Sequence, residues 1–496
     1  MALTKTTNRM MEGAYVNVLD YGADPTGSSD STSEIQAAID AAGANTVYVP
    51  DGTFLVNPDT SLRLGSNQTM CIDGTIQASG VSSDGYEVIR ISNLVQGSLV
   101  ENVKLYGTGT IAGERDSHTG STGESGHVVF IFGAANVLIE GLTIKDGWGD
   151  GIYIRRDTTT TPDTLAENIT VTNCYIHNNR RNNVSVVGGK HCIFDTCIFE
   201  NANGTSPQTG IDVEPNNEDE AQFIIISNCT ARKNQGNGFY VLGGDFVTIT
   251  GCHAIDNELN GIEVRDWVGT KITNNTVGLD EETTVTGGDF GALVTVEAYP
   301  SDKADYTLFA DNYVSAGSSY DPTVLANFEG DFLSVTGNQF DGGQVYFDTR
   351  QGVFNNNIIQ NSTGIGLNTG GVKIDGSVIM GNTIHNSQTN GVDLKNQTGT
   401  YSGVVFANNV ISDSSQATAN TSDHLRITGD GHKVIGNVFW TSGAKNARNA
   451  VTIESGANYT HLTGNTLAGY DTAALSDSGT GTMESNNVDD FTAILT

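Results

Sequence analysis

Carboxylates, arginines and aromatic residues recur at fixed places in a short pattern that is repeated between Asp150 and Asp266. In each copy the second and fourth residues are apolar, whereas the third and fifth vary, which is the period of a β-strand with one buried and one open face. The five copies are Gly151–Arg155, Asn183–Val187, Gly210–Glu214, Gly238–Leu242 and Gly261–Arg265. If the copies stack, their third residues form one outward column, which we call the first column: Tyr153, Ser185, Asp212, Tyr240 and Glu263. Their fifth residues form the second column: Arg155, Val187, Glu214, Leu242 and Arg265.

The carboxylates of these columns, Asp212, Glu214 and Glu263, are the candidate catalytic residues. Strand spacing predicts that Asp212 and Glu214 lie about 6–7 Å apart, and Asp212 and Glu263 about 9–10 Å apart. Both distances are close to the roughly 6.5–9.5 Å between the acid and the base of an inverting glycosidase. The same residues suit β-elimination from a uronate, where a base removes a proton and an arginine or a metal ion stabilises the charge. The spacing leaves both chemistries open, and simple solvent exposure of polar residues is the alternative to either.

Candidate binding residues surround the carboxylates. Arg155 and Arg265 can each neutralise the carboxylate of an acidic sugar, and Glu297 is expected to extend the second column. Flat faces for sugar rings are predicted at four aromatic residues, Tyr153, Tyr240, Trp148 and Trp267. Four of the nine histidines, His127, His177, His191 and His253, are scattered and are expected at the surface or in turns.

The loop from Glu214 to Glu220 carries four carboxylates. Carboxylate oxygens are ligands that Ca²⁺ prefers, so calcium binding is possible there. A solvated charged loop is the alternative that we favour. We therefore assign no metal ligand and expect no required cofactor.

The elements that must position these residues follow from a second repeat. Cysteine stands at one repeat position in four coils and asparagine takes that position afterwards: Cys174, Cys197, Cys229, Cys252, Asn275, Asn312, Asn338, Asn357, Asn382, Asn409, Asn437, Asn465 and Asn487. A coil of some 19–28 residues repeated through most of a chain indicates a parallel β-helix. Buried asparagines can hydrogen-bond from coil to coil, and stacked thiols pack well.

A helix is predicted near the N-terminus. Ser31 and Glu34 form a capping-box pattern, and Ile35, Ala38 and Ile39 follow at helical spacing. A short amphipathic helix can cover the open apolar end of a solenoid.

Three segments of this region resemble the N-terminal signature of the pectate-lyase-like right-handed β-helix superfamily: Asp20–Ala23, Ile35–Asp40 and Val49–Gly52. The resemblance implies an all-β, right-handed, single-stranded parallel β-helix with a short N-terminal capping helix. The superfamily includes hydrolases, lyases and C5-epimerases. The chain lacks both the Asp-Pro-His-Glu segment of alginate epimerases and the full polygalacturonase motifs, so no residue role is transferred. Thr7–Ala14 is similar to a segment that often precedes this signature in bacteriophage tailspikes and tail fibres.

Composition limits the partners. Asp and Glu number 57 against 24 Lys and Arg, a formal charge of −33, which disfavours nucleic acid and anionic lipid. No apolar run approaches the roughly 20 residues of a membrane span, and the first residues lack the apolar core of a secretory signal. We predict an N-terminal arm (1–15), a β-helix cap (16–60), a β-helix with the site face (61–320) and a continuing β-helix or C-terminal assembly region (321–496).

The favoured hypothesis is a phage tailspike-like polysaccharide depolymerase that binds and cleaves a bacterial surface glycan, with hydrolysis preferred over elimination. It would be a homotrimer in the virion tail or outside the cell. One alternative is a free bacterial lyase or epimerase that acts on a uronate polymer. The other is a non-catalytic glycan-binding adhesin or fibre.

Overall fold

The computed structural model describes residues 15–81, 83, 85–92, 99–120, 123–159, 163–216, 220–265, 269–279, 292–297, 306–317, 322–370, 374–396, 403–442 and 447–489. The described residues contain one α-helix, Thr32–Ala42, two 3₁₀ turns, Val18–Tyr21 and Arg115–Ser117, and many short strands. The chain divides into two compact units, residues 1–253 and 254–496. The domain boundaries proposed from the sequence, near residues 60 and 320, stay predictions.

The chain of the first unit visits three parallel sheets in turn, coil after coil. The first sheet contains Val16–Asn17, Thr46–Val49, Thr69–Ile72, Val100–Gly107, Ala134–Glu140, Ala166–Thr172, Gly189–Asp195, Ala221–Gln222, Ile225–Ser227 and Thr248–Thr250. The second contains Thr26–Asp30, Thr53–Val56, Thr75–Ala78, Thr110–Ala112, Thr143–Lys145, Tyr175–His177, Ile198–Glu200 and Thr230–Arg232. The third contains Leu62–Leu64, Gly85–Ile91, Ser125–Phe132, Ile152–Arg155, Val184–Val186, Ile211–Val213 and Phe239–Leu242. The strand His253–Ile255 contains the division between the units.

The second unit repeats this order of three parallel sheets. Its first sheet contains Lys271–Thr273, Leu308–Ala310, Ser334–Thr336, Val353–Asn355, Val378–Met380, Val405–Ala407, Lys433–Ile435, His461–Thr463 and Met483–Ser485. Its second contains Thr276–Gly278, Tyr313–Ser315, Gln339–Asp341, Ile358–Gln360, Thr383–His385, Val410–Ser412, Val438–Trp440, Thr466–Leu467 and Val488–Asp489. Its third contains Ile262–Arg265, Val294–Glu297, Ala326–Asp331, Val345–Arg350, Leu367–Asn368, Val392–Lys395, Leu425–Thr428, Ala447–Ile453 and Tyr470–Asp477. The predicted all-β parallel solenoid is confirmed in each unit.

The predicted N-terminal helix exists, but its capping box does not. Ser31 occupies the N-cap position, and its backbone carbonyl accepts the Ile35 N–H at 3.0 Å. Its side chain makes no hydrogen bond to the helix, because its hydroxyl accepts the backbone N–H of Asp24 at 2.9 Å. The carboxylate of Asp30 accepts the Thr32 N–H instead, at 2.9 Å. The helix buries Ile35 and Ile39 completely and packs on the first strands of the unit. Its role as an end cap stays a prediction.

The cysteine and asparagine repeat marks a buried corner between the first and second sheets. In the first unit Cys174, Cys197, Cys229 and Cys252 are all buried free thiols. In the second unit each ladder asparagine after Asn275 accepts, through Oδ1, both the backbone N–H and the side-chain N–H of the preceding ladder asparagine, as between Asn382 and Asn409 at 2.9 Å each. The predicted hydrogen bonding from coil to coil is confirmed.

The residue before a ladder position takes a left-handed conformation, as at Asn228 (φ 53°), Gly337 (φ 71°) and Gly464 (φ 65°). Only glycine and, to a lesser degree, asparagine adopt that conformation readily. This requirement explains why Gly-Asn and Asn-Asn pairs recur along the chain.

Candidate active site

The first column exists in the first unit with the register that the repeat predicts. Tyr153 pairs with Ser185, Ser185 with Asp212, and Asp212 with Tyr240 on successive parallel strands. The alternate residues of the same strands, such as Ile211 and Val213, are fully buried. The apolar alternation therefore fixes which side chains of the third sheet can face outward.

A pocket of about 210 Å³ opens on this face of the first unit. Two of the predicted catalytic residues, Asp212 and Glu214, contribute to its wall, and so does Tyr153. The remaining lining residues are Glu124, Ser125, His127, Arg181, Val187 and Asn216. The pocket thus combines carboxyl groups, a guanidinium and aromatic rings.

Asp212 is a buried carboxyl group in the wall of the pocket. Its side chain is 1% exposed, and its Oδ2 accepts a hydrogen bond from Asn182 Nδ2 at 2.9 Å. Its Oδ1 is buried and has no hydrogen-bond partner among the described residues. Burial, with a further contribution from Glu214, raises the pKa of Asp212 to about 8, although Arg181 opposes the shift. At neutral pH this group is therefore largely a neutral carboxylic acid.

Arg181 provides the positive charge of the pocket. Its guanidinium lies 3.3 Å from Asp150 Oδ2, 3.5 Å from Glu124 Oε2 and 4.0 Å from Glu214 Oε2. Burial opposes its charge, but the surrounding carboxylates, Asp150 first, raise the pKa of Arg181 overall. Asp150 is fully buried, and burial raises the pKa of Asp150 although Arg181 and the Asn182 N–H lower it.

His127 and Tyr153 form an aromatic wall. Their rings stack with centroids 4.3 Å apart, and Tyr153 also stacks on Phe130 at 5.7 Å. His127 Nδ1 accepts the backbone N–H of Asp150 at 3.2 Å, and burial lowers the pKa of His127 to about 3. The imidazole is therefore neutral and carries its proton on Nε2. The expectation that His127 is a surface or turn residue was wrong.

Glu214 follows the strand Ile211–Val213, and its side chain is 44% exposed. The next acidic residues of its loop, Glu218 and Asp219, lie outside the described residues. Glu220 is buried and makes an ion pair with Arg156. The carboxylate of Glu220 is therefore not part of a solvated charged cluster.

Trp148 does not offer a free face to a sugar. Its ring is buried between neighbours, with the His118 ring 3.9 Å and the Arg180 guanidinium 3.9 Å from its centroid. The prediction of Trp148 as a sugar platform was therefore wrong, because its ring is buried and stacks on that of His118. Trp267 lies outside the described residues. Tyr240 holds its predicted place in the first column.

Arg155 is half-buried and extends the strand of Tyr153, paired with Phe132 on the neighbouring strand. Among the described residues it makes no ion pair. Its positive charge lowers the pKa of both His127 and Tyr153. Burial is the larger effect on each group: it lowers the pKa of His127 and raises the pKa of Tyr153.

Within the second unit, three predicted residues form a group of their own. Arg265 Nε lies 2.5 Å from Glu263 Oε1 and 3.8 Å from Glu297 Oε2. Arg265 pairs with Glu297 in the parallel register, as the second column predicts. Glu263 is 6% exposed. Its carboxylate is thus neutralised by an arginine of its own strand.

Sequence reasoning missed four residues that build the pocket: Asp150, Arg181, Asn182 and His127. Asp150 and Asn182 precede Tyr153 and Ser185 by three residues each, in the turn before the strand. A second buried ladder joins them, because Asp150 Oδ1 accepts the Asn182 N–H and Asn182 Oδ1 accepts the Thr209 N–H, at 2.9 Å each. The recurrence of Asp, Asn and Thr three residues before the first column was the available signal.

Among the described residues, no three His, Cys, Asp or Glu side chains are grouped as metal ligands would be. The part of the chain that the structure describes also holds no helix long and apolar enough to cross a membrane.

Comparison with known proteins supports the fold. The family model described as the right handed beta helix region matches residues 119–277, which include the whole pocket lining. Over 248 residues the chain is 32% identical to the uncharacterized protein YclG of Bacillus subtilis, covering 44% of this chain and 41% of that protein. It is 26% identical over 353 residues to mannuronan C5-epimerase AlgE5 of Azotobacter vinelandii, covering 66% of this chain and 33% of that enzyme. The chain thus spans less than half the length of either relative.

Among solved structures, the chain is similar to the tailspike protein of E. coli bacteriophage HK620, which was solved in complex with a pentasaccharide. The TM-score is 0.53 at 15% identity, with 95% of this chain and 80% of that chain covered.

Proposed function

Because the chain is a right-handed parallel β-helix protein with a fold similar to that of a phage tailspike, we propose that its first unit cleaves a polysaccharide by hydrolysis. The observation that carries the proposal is the pairing of two unlike carboxyl groups in one pocket. Asp212 is buried, protonated at neutral pH and has a free oxygen, whereas Glu214 is exposed beside Arg181. Two carboxyl groups in such different surroundings are the usual basis for separate acid and base roles.

In the proposed step Asp212 gives its proton to the glycosidic oxygen as the bond from that oxygen to the sugar carbon breaks. Glu214 accepts a proton from the water that attacks the same carbon, so the products are two free hydroxyl groups. Proton exchange with solvent restores both carboxyl groups. Residues two apart along an extended chain have Cα atoms about 6–7 Å apart, which is close to the carboxyl separation of inverting glycosidases, so we expect inversion at the anomeric carbon.

The test is release of reducing ends from a panel of capsule, O-antigen, plant and algal polysaccharides. Asp212→Asn and Glu214→Gln should each abolish release without loss of glycan binding. Glu140→Gln, which removes an exposed carboxylate outside the pocket, should cleave like the wild type. Full activity in both pocket variants would refute the assignment.

Elimination or epimerisation of a uronate polymer is the second candidate, and Arg155 favours it. This half-buried guanidinium beside Tyr153 makes no ion pair among the described residues, so a uronate carboxylate would be a suitable partner. The similarity to a mannuronan C5-epimerase points to the same class of substrate. A lyase product absorbs in the ultraviolet through its unsaturated uronate. An epimerase changes the sugar signals in a nuclear magnetic resonance spectrum without shortening the polymer.

We further propose that the protein is a homotrimer that acts in a virion tail or outside the cell, with a bacterial surface glycan as its partner. The likeness of fold to the HK620 tailspike supports this assignment. The phage-like segment Thr7–Ala14 lies outside the described residues. A monomer in light scattering would count against a tailspike, and glycan binding without any product would favour the adhesin alternative. Calcium binding by Glu214–Glu220 stays a prediction, and the proposed step uses only the chain's own groups.

A further inference from the structure

Asn182 connects the buried groups of the pocket. It is 0% exposed, and its backbone N–H donates to Asp150 Oδ1 at 2.9 Å. Its Nδ2 donates to Asp212 Oδ2 at 2.9 Å and to Ser185 Oγ at 3.0 Å. Its Oδ1 accepts the Thr209 N–H at 2.9 Å. Because a backbone N–H can only donate, the amide cannot be turned round, and its NH₂ group must face Asp212.

The fixed direction of this hydrogen bond distinguishes the two oxygens of Asp212. An oxygen that carries a proton is a poorer acceptor than a carbonyl oxygen, so the bond from Asn182 favours the form in which Oδ2 is the carbonyl. A net hydrogen bond of about 1 kcal/mol corresponds to a roughly fivefold preference. The proton is then held on Oδ1, which has no partner among the described residues.

We propose that Asn182 is a positioning residue that keeps the transferable proton of Asp212 on Oδ1. The inference rests on the proposed function, because it assumes that Asp212 is the general acid. Asn182 itself touches neither the glycosidic oxygen nor the attacking water in this scheme. It selects which oxygen of Asp212 can donate.

The second unit contains the same ladder without a proton donor. Asn390 stands three residues before the buried Asp393, donates to its Oδ1 at 2.6 Å, and accepts the Asp423 N–H at 2.8 Å. Arg426 also binds both oxygens of Asp393, so neither is left free. The ladder amide alone is therefore structural, and Asn390→Ala is a matched control for the loss of a ladder side chain.

The first test needs no substrate. The infrared difference between the wild type and Asp212→Asn at pH 6 isolates the C=O stretch of protonated Asp212. In Asn182→Ala, and in Asn182→Thr, which keeps an acceptor oxygen for Thr209, this band should move to higher wavenumber because its carbonyl loses a donor. Asn390→Ala should leave it in place. An unmoved band in both Asn182 variants would mean that Oδ2 carries the proton, and it would refute the proposed role of Asn182.

The second test uses the polysaccharide of the panel that the wild type cleaves. Both Asn182 variants should lower kcat a little less than twofold at unchanged KM, because the share of protonated Asp212 with its proton on Oδ1 falls from about five-sixths to about one-half. They should also shift the alkaline limb of the kcat profile upward, since a donor to the carboxylate is lost. Asn390→Ala should lower thermal stability comparably without either change. If Asp212→Asn were inactive while both Asn182 variants kept the wild-type kcat and pH limb, only the positioning role would fail. If Asp212→Asn remained active, the proposed function itself would fail.

Discussion

Asp212→Asn should stabilise the protein, and the gain should grow with pH. The pKa of Asp212 is raised from its ordinary value of 3.8 to about 8 in the folded chain. Between these values the unfolded chain has lost the proton and the folded chain has kept it. The wild type therefore loses stability as pH rises through this window. With about 1.4 kcal/mol for each pKa unit, the cost is about 2 kcal/mol at pH 5 and about 5 kcal/mol at pH 8.

An asparagine at this position does not titrate, so the variant avoids that cost. The difference in free energy of unfolding between variant and wild type should widen by about 3–4 kcal/mol from pH 5 to pH 8. At roughly 2 °C per kcal/mol for a unit of this size, the gap between thermal midpoints should grow by about 6–8 °C. A gap that stays constant over this range would refute the protonated state of Asp212. Asp393→Asn is the control, because it breaks a buried ion pair and should destabilise at both pH values.

Three further predictions concern single positions. Asn409→Ala removes a ladder amide and should lower the free energy of unfolding by about 3–5 kcal/mol in a denaturation assay, since several buried groups lose their partners. The control Gln360→Ala should lower it by less than about 1 kcal/mol. Burial lowers the pKa of His424 to about 4, so the wild type should lose stability as pH falls from 6.5 to 4, and His424→Gln should show a smaller drop in thermal midpoint between pH 7 and pH 4. Tyr240→Arg places a cation beside Asp212, and the infrared band of protonated Asp212 at pH 6 should disappear; a persistent band would contradict the role of the neighbouring coil.

The strands and their outward columns were predictable because a β-strand alternates with a period of two and each coil repeats the same corner. Once the coils are aligned on the repeat position that Cys174 and Asn275 share, Tyr153, Ser185 and Asp212 fall at one position of the following strands. This alignment needs no knowledge of tertiary contacts. The asparagine ladder was predictable for the same reason. Its side chains bond to their own copies one coil away, so the repeat itself contains the partners.

The directions of the side chains around Asp212 do not follow from the period of two along a strand. Arg181 and Asn182 stand in the turn before their strand, where the direction of a side chain depends on how the coil bends, although Asn182 itself recurs with Asp150 and Thr209 from coil to coil. Trp148 was misjudged because its neighbours His118 and Arg180 come from a loop and a turn that no period describes. Ser31 matched a capping-box pattern, but its hydroxyl accepts the backbone N–H of Asp24 and does not cap the helix. A local sequence pattern identifies residues that could form a given interaction. Which partner each residue binds in the fold depends on the donors and acceptors that lie near it.

Asp212 and Asp393 occupy equivalent places in their units, each buried and each facing the next coil of the third sheet. The next coil presents Arg426 to Asp393, and the carboxylate becomes one half of an ion pair. In the first unit, the coil after Asp212 places Tyr240 beside it, and the coil before places Ser185 beside it. Neither neighbour of Asp212 in the column therefore supplies a positive charge. Arg181 lies close by, but its nearest contact is Asp150. The difference between a structural ion pair and a candidate proton donor is therefore set by one residue of the adjacent coil. A solenoid can acquire or lose such a donor by a single substitution without altering its backbone, because several coils already provide a buried position in this column, as at Ser185, Asp212 and Asp393.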